Sequence, residues 1–340
     1  MPEIIEVHKF ADVLRNNILG HKITHINILN GRYSKKPFEG FSVLKKELPL
    51  TVESINTKGK FTYFTLSNND KKQFYLFNTL GLSGGWTVKA KKKSDFAKCE
   101  NCHYMKKEGD GNGDDKDESA SIYMYPTILE YISEDNSNNW FQRALNHLNV
   151  EFIIENKLHN GQNKDIAFIY YDILSFGTLK ATDNPADLEK KLKELGPDMM
   201  EDTTTFEIFK KQITKGANKT KPIGNVIVNQ KLISGVGNYL RADGLWMSKI
   251  SPFRNVEDIS DKDMELLYKS LQALMWGDYN YKEGVKKSII TNTIKLPNDY
   301  KRDFFVYRQD KDINGKVVKK TELFDGSQKR FIHWVEEVQK

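Results

Sequence analysis

Met1-Pro2-Glu3-Ile4-Ile5-Glu6, the first six of 340 residues, are the stretch that says most about this chain and its fold. If the initiator methionine is removed, the secondary amine of Pro2 becomes the N-terminus, one residue before a carboxylate. An α-amine has a pKa of roughly 7.7–8.0, against about 10.4 for lysine, so more of it is unprotonated at neutral pH. A secondary amine that adds to a sugar C1′ forms an iminium ion, a strong electron sink. The same residues also suit a plain helix start, where proline and glutamate are both favoured.

A helix is predicted directly after this stretch, because apolar residues recur at helical spacing and a glycine follows them. The apolar positions are Val7, Phe10, Ala11, Leu14 and Ile18, and the glycine is Gly20. The amine of Pro2 would then lie at a helix N-terminus, where the helix dipole disfavours its protonated form.

Farther along the chain, segments rich in β-branched and aromatic residues predict strands. They are Lys22–Leu29, Thr51–Thr57, Phe61–Leu66, Phe74–Phe77, Val150–Glu155 and Ile166–Leu179. The pattern is interrupted at about 89–139, where the acidic, glycine-rich segment Glu108–Glu118 cannot pack a core. We interpret 89–139 as a mobile insertion.

Helical periodicity begins at Asn184-Pro185 and continues to about Gly284. The predicted helices are Pro185–Leu195, Phe206–Lys215, Pro222–Ile233, Asn238–Lys249 and Asp261–Trp276. The last part returns to β-structure, with the predicted strands Phe304–Gln309, Lys316–Leu323 and Phe331–Val335 and the turn signals Asn314-Gly315 and Asp325-Gly326. The chain is therefore predicted to be an α+β protein with regions 1–183, 184–284 and 285–340.

Composition limits the class of protein and of partner. The N-terminus lacks the apolar run of a signal peptide, and no stretch approaches the roughly 20 apolar residues of a membrane span. Two cysteines exclude a disulfide framework and suit a reducing compartment. Residues 206–340 hold 25 Lys and Arg against 17 Asp and Glu, although the whole chain carries only +6. This basic region favours a polyanionic partner, although many solvated domains carry such a charge.

Ser234-Gly235-Val236-Gly237-Asn238-Tyr239 lies between two predicted helices. The glycines permit close backbone approach, and Asn238 could cap the second helix. A capped helix N-terminus with exposed N–H groups binds phosphate, although the segment could also be a simple helix–helix turn.

The spacing Cys99-Glu-Asn-Cys102-His103 matches a haem-attachment pattern and could form half of a zinc site. It lies in the insertion, and the chain has no second cysteine pair. We therefore expect no metal or cofactor.

Taken together, the ordered motifs resemble the formamidopyrimidine-DNA glycosylase/endonuclease VIII (Fpg/Nei) family of base-excision repair enzymes. The matching motifs are Pro2-Glu3, Gly59-Lys60, Leu80-Gly81-Leu82-Ser83-Gly84, Asp172-x-x-x-Phe176-Gly177, Leu195-Gly196-Pro197-Asp198 and Gln230 through Asn238. The resemblance covers nearly the whole chain except the insertion, and it is strongest to the Nei-like branch with a zincless finger.

This resemblance implies roles for residues at matching positions. Pro2 would attack C1′ of a damaged nucleotide, and Glu3 would be the general acid on the opening sugar. Glu6 matches a second carboxylate, and Lys60 matches a lysine that binds phosphate and assists elimination. For DNA binding, the matching positions are His147, Gly237, Asn238 and Arg330.

The chain departs from the family pattern at several positions. Val306, Gln309, Val335 and Val338 stand where zinc-bearing members have cysteines. Of the three side chains that fill the space of the extruded base, Leu82 replaces methionine, Phe176 is present, and Leu174 stands where arginine is usual. Ile5 replaces a second proline.

The resemblance implies a β-sandwich preceded by one helix, then a helical domain with a helix–two-turns–helix motif and a zincless β-hairpin finger. It implies a monomeric, intracellular DNA glycosylase and AP lyase, acting in the nucleus or at sites of DNA replication. Its substrates would be oxidised pyrimidines and hydantoins, with strand cleavage by β/δ-elimination at abasic sites. The alternative is a non-catalytic binder of damaged or single-stranded DNA on the same scaffold.

Overall fold

The computed structural model describes residues 2–100, 102–107, 121–126, 137–155, 166–279, 304–324 and 329–340. The chain forms two compact units. The sheet unit comprises Met1–Pro2 and Glu6–Lys190, and the helical unit comprises Glu3–Ile5 and Lys191–Lys340. The acidic segment of the predicted insertion and residues 280–303 lie outside the described residues, so the three predicted regions remain a prediction.

The first helix, α1 (Ile4–Ile18), confirms the prediction from apolar spacing. Phe10, Leu14 and Ile18 on its apolar face are fully buried. Near its C-terminal end, Arg15 donates from Nε to the carbonyl of Ile55, 2.7 Å away, which joins the helix to a strand. Burial of each large apolar side chain stabilises the fold by about 1.5–3 kcal/mol.

Ten strands of the sheet unit form one antiparallel sheet in the order β10-β4-β3-β2-β1-β8-β9-β5-β7-β6. The strands are β1 (Lys22–Ile28), β2 (Leu50–Lys58), β3 (Phe61–Ser67), β4 (Gln73–Thr79), β5 (Gly84–Ala90), β6 (Cys102–Lys107), β7 (Ser121–Pro126), β8 (Leu148–Glu155), β9 (Ile166–Asp172) and β10 (Thr178–Thr182). Three short helices accompany them: α2 (Arg32–Lys35), α3 (Phe41–Lys46) and α4 (Ser137–Leu145).

The sheet folds over on itself, so its two halves enclose one core. Phe64 on β3 and Phe168 on β9 are four places apart in the strand order, yet their rings stack at 5.9 Å. Trp86 on β5 lies 5.4 Å from the first ring and 5.6 Å from the second. The two layers of the predicted sandwich are therefore parts of one continuous sheet.

The prediction of one strand over Ile166–Leu179 is wrong, because the chain turns between Asp172 and Thr178. Ser175 has a φ of 58°, which a strand does not accommodate. The turn separates β9 from β10 and exposes the side chains between them.

The helical unit contains α5 (Pro185–Glu194) from residue 191, α6 (Phe206–Ile213), α7 (Ile223–Val226), α8 (Asn238–Met247) and α9 (Asp261–Tyr279). Helix α7 is much shorter than the predicted Pro222–Ile233. The Gln230 side chain accepts from the Gly235 N–H and donates to the Val236 carbonyl, which turns the chain toward α8. No helix among the described residues is long and apolar enough to span a membrane.

A two-stranded hairpin, β11 (Lys319–Phe324) with β12 (Lys329–Trp334), ends the helical unit, and we call it the finger. The predicted strand Phe304–Gln309 is not a strand. The N–H groups of its residues 305–307 donate instead to the buried carboxylate of Asp243 on α8, at 3.0–3.1 Å.

Candidate functional site

In the helical unit, the carboxylate of Glu3 is fully buried against the N-terminus of α8. Its Oε2 accepts from the Gly237 N–H at 2.6 Å and from the Leu240 N–H at 3.4 Å, and its Oε1 accepts from the Tyr239 N–H at 2.9 Å. A helix N-terminus favours a negative charge because its N–H groups lack intrahelical acceptors and its dipole is positive there. Glu3 thus occupies three donors of the end that the sequence predicts as a phosphate site.

Gly235 makes this arrangement possible. The Ile4 N–H donates to the Gly235 carbonyl at 3.3 Å. Gly235 has a φ of 115°, and a Cβ there would lie 2.5 Å from the Ile4 side chain. The first glycine of the Gly235-x-Gly237 motif therefore serves the N-terminal segment.

One expectation for the end of α8 needs correction. The N-cap residue is Gly237, and Asn238 is the first helical residue, so Asn238 is not the cap. The Gly237 N–H donates to Glu3, and the role of Gly237 in DNA binding stays a prediction. Asn238 is half-buried, and its Oδ1 accepts from Arg241 at 3.3 Å.

Arg241, which the sequence reasoning missed, lies fully buried beneath this site. It donates to the carbonyls of Gly224 at 3.2 Å and Phe331 at 2.9 Å, as well as to Asn238. Burial and the nearby Arg330 lower the pKa of Arg241 to about 10, and Glu3 acts in the opposite direction. A lone arginine within the apolar stretch Asn238–Met247 is the signal that could have revealed it.

Arg330 lies on β12, where it pairs across the hairpin with Leu323. It is half-buried and close enough to Arg241 for the two cations to interact. The helical unit therefore brings together Glu3, Asn238 and Arg330, three of the predicted site residues, around one buried arginine.

In the sheet unit, three large apolar side chains are exposed on two adjacent loops. Leu82 is 43% exposed, Leu174 54% and Phe176 61%. The loops touch at Gly81, which has a φ of 62° and where a Cβ would lie 2.5 Å from the Gly177 nitrogen. The structure thus places the two predicted void-filling residues, Leu82 and Phe176, on neighbouring loops.

A buried carboxylate, Asp172, ties these loops together. Its Oδ1 accepts from the Ser83 hydroxyl at 2.6 Å, and its Oδ2 accepts from the Gly177 N–H at 2.7 Å. Ser83 in turn accepts from the Leu174 N–H at 2.8 Å. Tyr170 also donates to Asp172 at 3.3 Å, and burial together with this carboxylate raises the pKa of Tyr170. The sequence placed Asp172 in a family motif but did not predict that its carboxylate joins the two loops.

Arg32 holds the same turn from its other side. It donates to the carbonyls of Ser175, at 3.2 Å, and Gly177, and to the Tyr33 hydroxyl at 2.9 Å. The sequence reasoning missed this residue, which precedes the turn by more than 140 positions.

The remaining predicted residues lie elsewhere on the sheet unit. His147 is exposed, and its carbonyl accepts from the Asp172 N–H at 3.2 Å, which places it beside the two loops. Lys60 is half-buried in the turn between β2 and β3, and Glu6 is buried in the first turn of α1.

The four positions at which zinc-bearing family members have cysteine make other contacts here. Val306 and Val335 are fully buried in the core of the helical unit, and the Val335 N–H donates to the Gln339 side chain at 2.7 Å. Gln309 and Val338 are half-buried. No group of three or more His, Cys, Asp or Glu in the described parts of the chain could hold a metal ion.

Cys99 and Cys102 form a disulfide, with their Cα atoms 5.6 Å apart. Cysteine usage in the sequence favours reduced thiols, and this bridge was not expected. In the bridged form neither sulfur is a thiol that could attach haem or ligate zinc.

Comparison with known proteins identifies relatives over much of the chain. The formamidopyrimidine-DNA glycosylase N-terminal domain model matches residues 1–111, and the H2TH domain model of the same enzyme matches residues 195–290. Formamidopyrimidine-DNA glycosylase from Lactococcus lactis subsp. lactis (strain IL1403) is 24% identical over 277 residues, 81% of this chain and 77% of that protein. The enzyme from Streptococcus agalactiae serotype III (strain NEM316) is 33% identical over 129 residues, 37% of this chain and 44% of that protein.

Solved structures have the same fold. Lactococcus lactis formamidopyrimidine-DNA glycosylase non-covalently bound to DNA containing an AP site matches with a TM-score of 0.63 and 20% identity, over 100% of both chains. Its complex with DNA containing an oxidised pyrimidine matches equally well, with the same identity and coverage.

Proposed function

Because this chain belongs to the Fpg/Nei family of DNA glycosylases, we propose that it excises oxidised bases from DNA and then cleaves the strand as an AP lyase. The observation that carries this proposal is the buried Glu3 carboxylate, held by three N–H groups of α8 directly after Pro2. These bonds hold the carboxylate that follows the candidate nucleophile in the chain.

The amine of Pro2 is the nucleophile in this proposal. As its nitrogen bonds to C1′, the base leaves with the glycosidic electron pair, and the amine must lose its proton. The helix end favours a negative charge on the Glu3 carboxylate, so this group can accept the proton. It then returns the proton to the ring oxygen as the sugar opens to the iminium ion.

Lys60 and Glu6 complete the catalytic set. The iminium ion acidifies the adjacent C2′ hydrogen, and its removal expels the 3′ phosphate by β-elimination, followed by δ-elimination of the 5′ phosphate. A lysine can stabilise the departing phosphates, and a second carboxylate can carry protons between these steps.

The proposed partner is DNA that contains oxidised bases or abasic sites. Arg330 and Asn238 in the helical unit, together with His147 in the sheet unit, supply phosphate contacts. The excess of basic residues from 206 to 340 supports a polyanionic partner. The protein would act as a monomer inside the cell, in the nucleus or at sites of DNA replication.

The proposed lesions are oxidised pyrimidines and hydantoins, as in the Nei-like branch with a zincless finger. Leu82, Leu174 and Phe176 form an exposed apolar cluster that can fill the space left by a flipped nucleotide. The buried valines at two former cysteine positions support a metal-free finger.

Borohydride trapping on oligonucleotides with different lesions tests the proposal. We expect a covalent adduct whose linkage maps to Pro2 by peptide mass, strongest with oxidised pyrimidines and hydantoins. A protein with an uncleaved N-terminal tag should not be trapped, and full trapping of that protein would refute Pro2 as the nucleophile. Absence of any adduct, with DNA binding intact, would favour the alternative of a non-catalytic binder.

A further inference from the structure

One face of the finger carries several exposed side chains. In the β11–β12 register, Lys320 pairs with His333 and Glu322 pairs with Phe331. Directly opposed residues project to the same side of a sheet, whereas neighbours along a strand project to opposite sides. Ile332 therefore projects to the inner side, where it is buried. We call the side bearing these two pairs the outer face.

Phe331 is the most unusual residue of this face. Its ring is 53% exposed, although aromatic side chains contribute most to stability when buried. The Lys320 Nζ lies over this ring, 5.0 Å from its centroid, so a cation is placed on one face of the ring and the other face can receive a base.

A second aromatic–cation pair adjoins the first. The Arg308 guanidinium lies 5.2 Å from the centroid of the Tyr307 ring, and that ring lies 5.3 Å from the ring of His333. Arg308 is exposed and has a φ of 57°, in the left-handed region that non-glycine residues rarely adopt. Such strain is concentrated at functional positions.

The electrostatic environment of the outer face is positive. Burial, followed by Lys320, Arg308 and Arg241, lowers the pKa of His333. Glu322 contributes one negative charge to the same face. Adjacent cations and an exposed ring are the combination that single-stranded nucleic acids require, because phosphates need positive charge and unstacked bases need an aromatic surface.

We propose that the outer face of the finger binds one unpaired strand of DNA, with a base stacked on Phe331 and backbone phosphates bound by Lys320 and Arg308. This inference rests on the proposed function only in taking DNA as the ligand. A duplex offers its phosphates but keeps its base faces stacked, so Phe331 should favour single strands.

Binding of the full chain to an undamaged fluorescent oligonucleotide, single-stranded or duplex, tests the proposal by anisotropy. Phe331→Ala should weaken single-strand binding by roughly 5- to 150-fold, the range for loss of one stacked base. It should change duplex binding much less. Phe331→Trp should restore single-strand affinity, because tryptophan also stacks.

Two further variants separate stacking from charge and from general damage. Lys320→Gln should reduce the slope of log affinity against log salt by about 0.7 for a single strand, whereas Phe331→Ala should leave it unchanged. Val317→Ala is the matched control, since Val317 is also an exposed apolar residue of this region, at 59%, but lies outside the outer face. It should bind as the unmodified protein does.

Equal loss for single-stranded and duplex DNA, no loss on Phe331→Ala, or an equal loss on Val317→Ala would overturn the proposal. These results are independent of borohydride trapping. Normal borohydride trapping, together with single-strand affinity that does not change on Phe331→Ala, would refute this inference alone. Weaker single-strand binding on Phe331→Ala, together with no borohydride adduct, would refute the proposed function alone.

Discussion

The buried carboxylate of Asp172 accepts a hydrogen bond of 2.6 Å from the hydroxyl of Ser83, and this pair joins two loops that expose apolar side chains. Loops are usually the most mobile parts of a fold, yet these are held from within by a buried carboxylate. The proposed void-filling residues are therefore carried on a rigid platform.

Asp172→Asn should loosen this platform, since an amide nitrogen would face either the Ser83 hydroxyl or the Gly177 N–H. We expect the free energy of unfolding in urea to fall by about 1–3 kcal/mol. Excision from duplex DNA should fall more than excision from single strands, because only a duplex has a stack to fill. Ser83→Ala should cause a smaller version of the same effect. Equal losses on both substrates, at matched folded fractions, would contradict the positioning role.

Glu3→Gln should abolish base excision while some lyase activity on preformed abasic sites remains. Glutamine can still accept a hydrogen bond but cannot take the proton that the attacking amine loses. Its NH2 group would also face a backbone N–H of α8, so stability should fall by about 1–3 kcal/mol. Single-turnover kinetics on a lesion and on an abasic site measure the difference. Unchanged base excision by a folded variant would exclude the proposed proton transfer.

The segment before the finger should keep its structure without zinc, because Asp243 accepts hydrogen bonds from the N–H groups of residues 305–307. Metal analysis should find no stoichiometric zinc, and a chelator should leave both melting temperature and activity unchanged. Asp243→Ala should lower the free energy of unfolding by about 3 kcal/mol, because buried donors lose their acceptor. Asp310→Ala, at an exposed position nearby, serves as the control. Zinc that is lost together with DNA cleavage would refute this prediction.

Arg330→Ala should weaken DNA binding regardless of sequence and reduce the salt slope by about one unit, as loss of one phosphate contact requires. Asn238→Ala should also weaken binding, but with little change in slope, because asparagine carries no charge. Binding titrations at several salt concentrations measure both effects. Lys269→Ala, which removes an exposed cation paired with Glu265, is the control. A normal slope for Arg330→Ala would argue against its role.

Excision should depend little on the base opposite the lesion, because the Leu174 side chain can fill space but cannot donate hydrogen bonds. A bidentate arginine contact gives about 1–3 kcal/mol of discrimination, or roughly 5- to 150-fold. Leu174→Arg should therefore introduce opposite-base dependence. The measurement is single-turnover excision of one oxidised pyrimidine opposite each of the four bases. A tenfold preference in the unmodified protein, beyond differences in duplex stability, would mean that another residue reads this base.

The parts of the fold with regular periodicity could be predicted from the sequence. Helix α1 follows from apolar residues at helical spacing, and the strands through Phe74–Phe77 follow from their β-branched and aromatic residues. Predictions from local patterns were wrong where the backbone forms its hydrogen bonds with a side chain instead of with other backbone groups. Asp243 accepts hydrogen bonds from the amides of a predicted strand, and the Gln230 side chain bonds the backbone of Gly235 and Val236 within the turn that follows α7.

The candidate site was predicted mainly through family motifs, and its supporting residues were missed. Arg241 and Arg32 make their contacts with segments far away in the sequence, so no local spacing reveals them. For the same reason, no local pattern revealed that the Gly237 N–H donates to a carboxylate 234 positions earlier.

The assignment of Glu3–Ile5 to the helical unit, while Pro2 and Glu6 belong to the sheet unit, has a consequence for inheritance. Recombination between related genes near Lys190 would join a Glu3 from one parent to the amides of α8 from another. A chimaeric protein would keep these hydrogen bonds only if Ile4 of one parent packed against Gly235 of the other without a clash. The amino terminus and the loop before α8 should therefore be exchanged together, although the ten-stranded sheet is encoded between them.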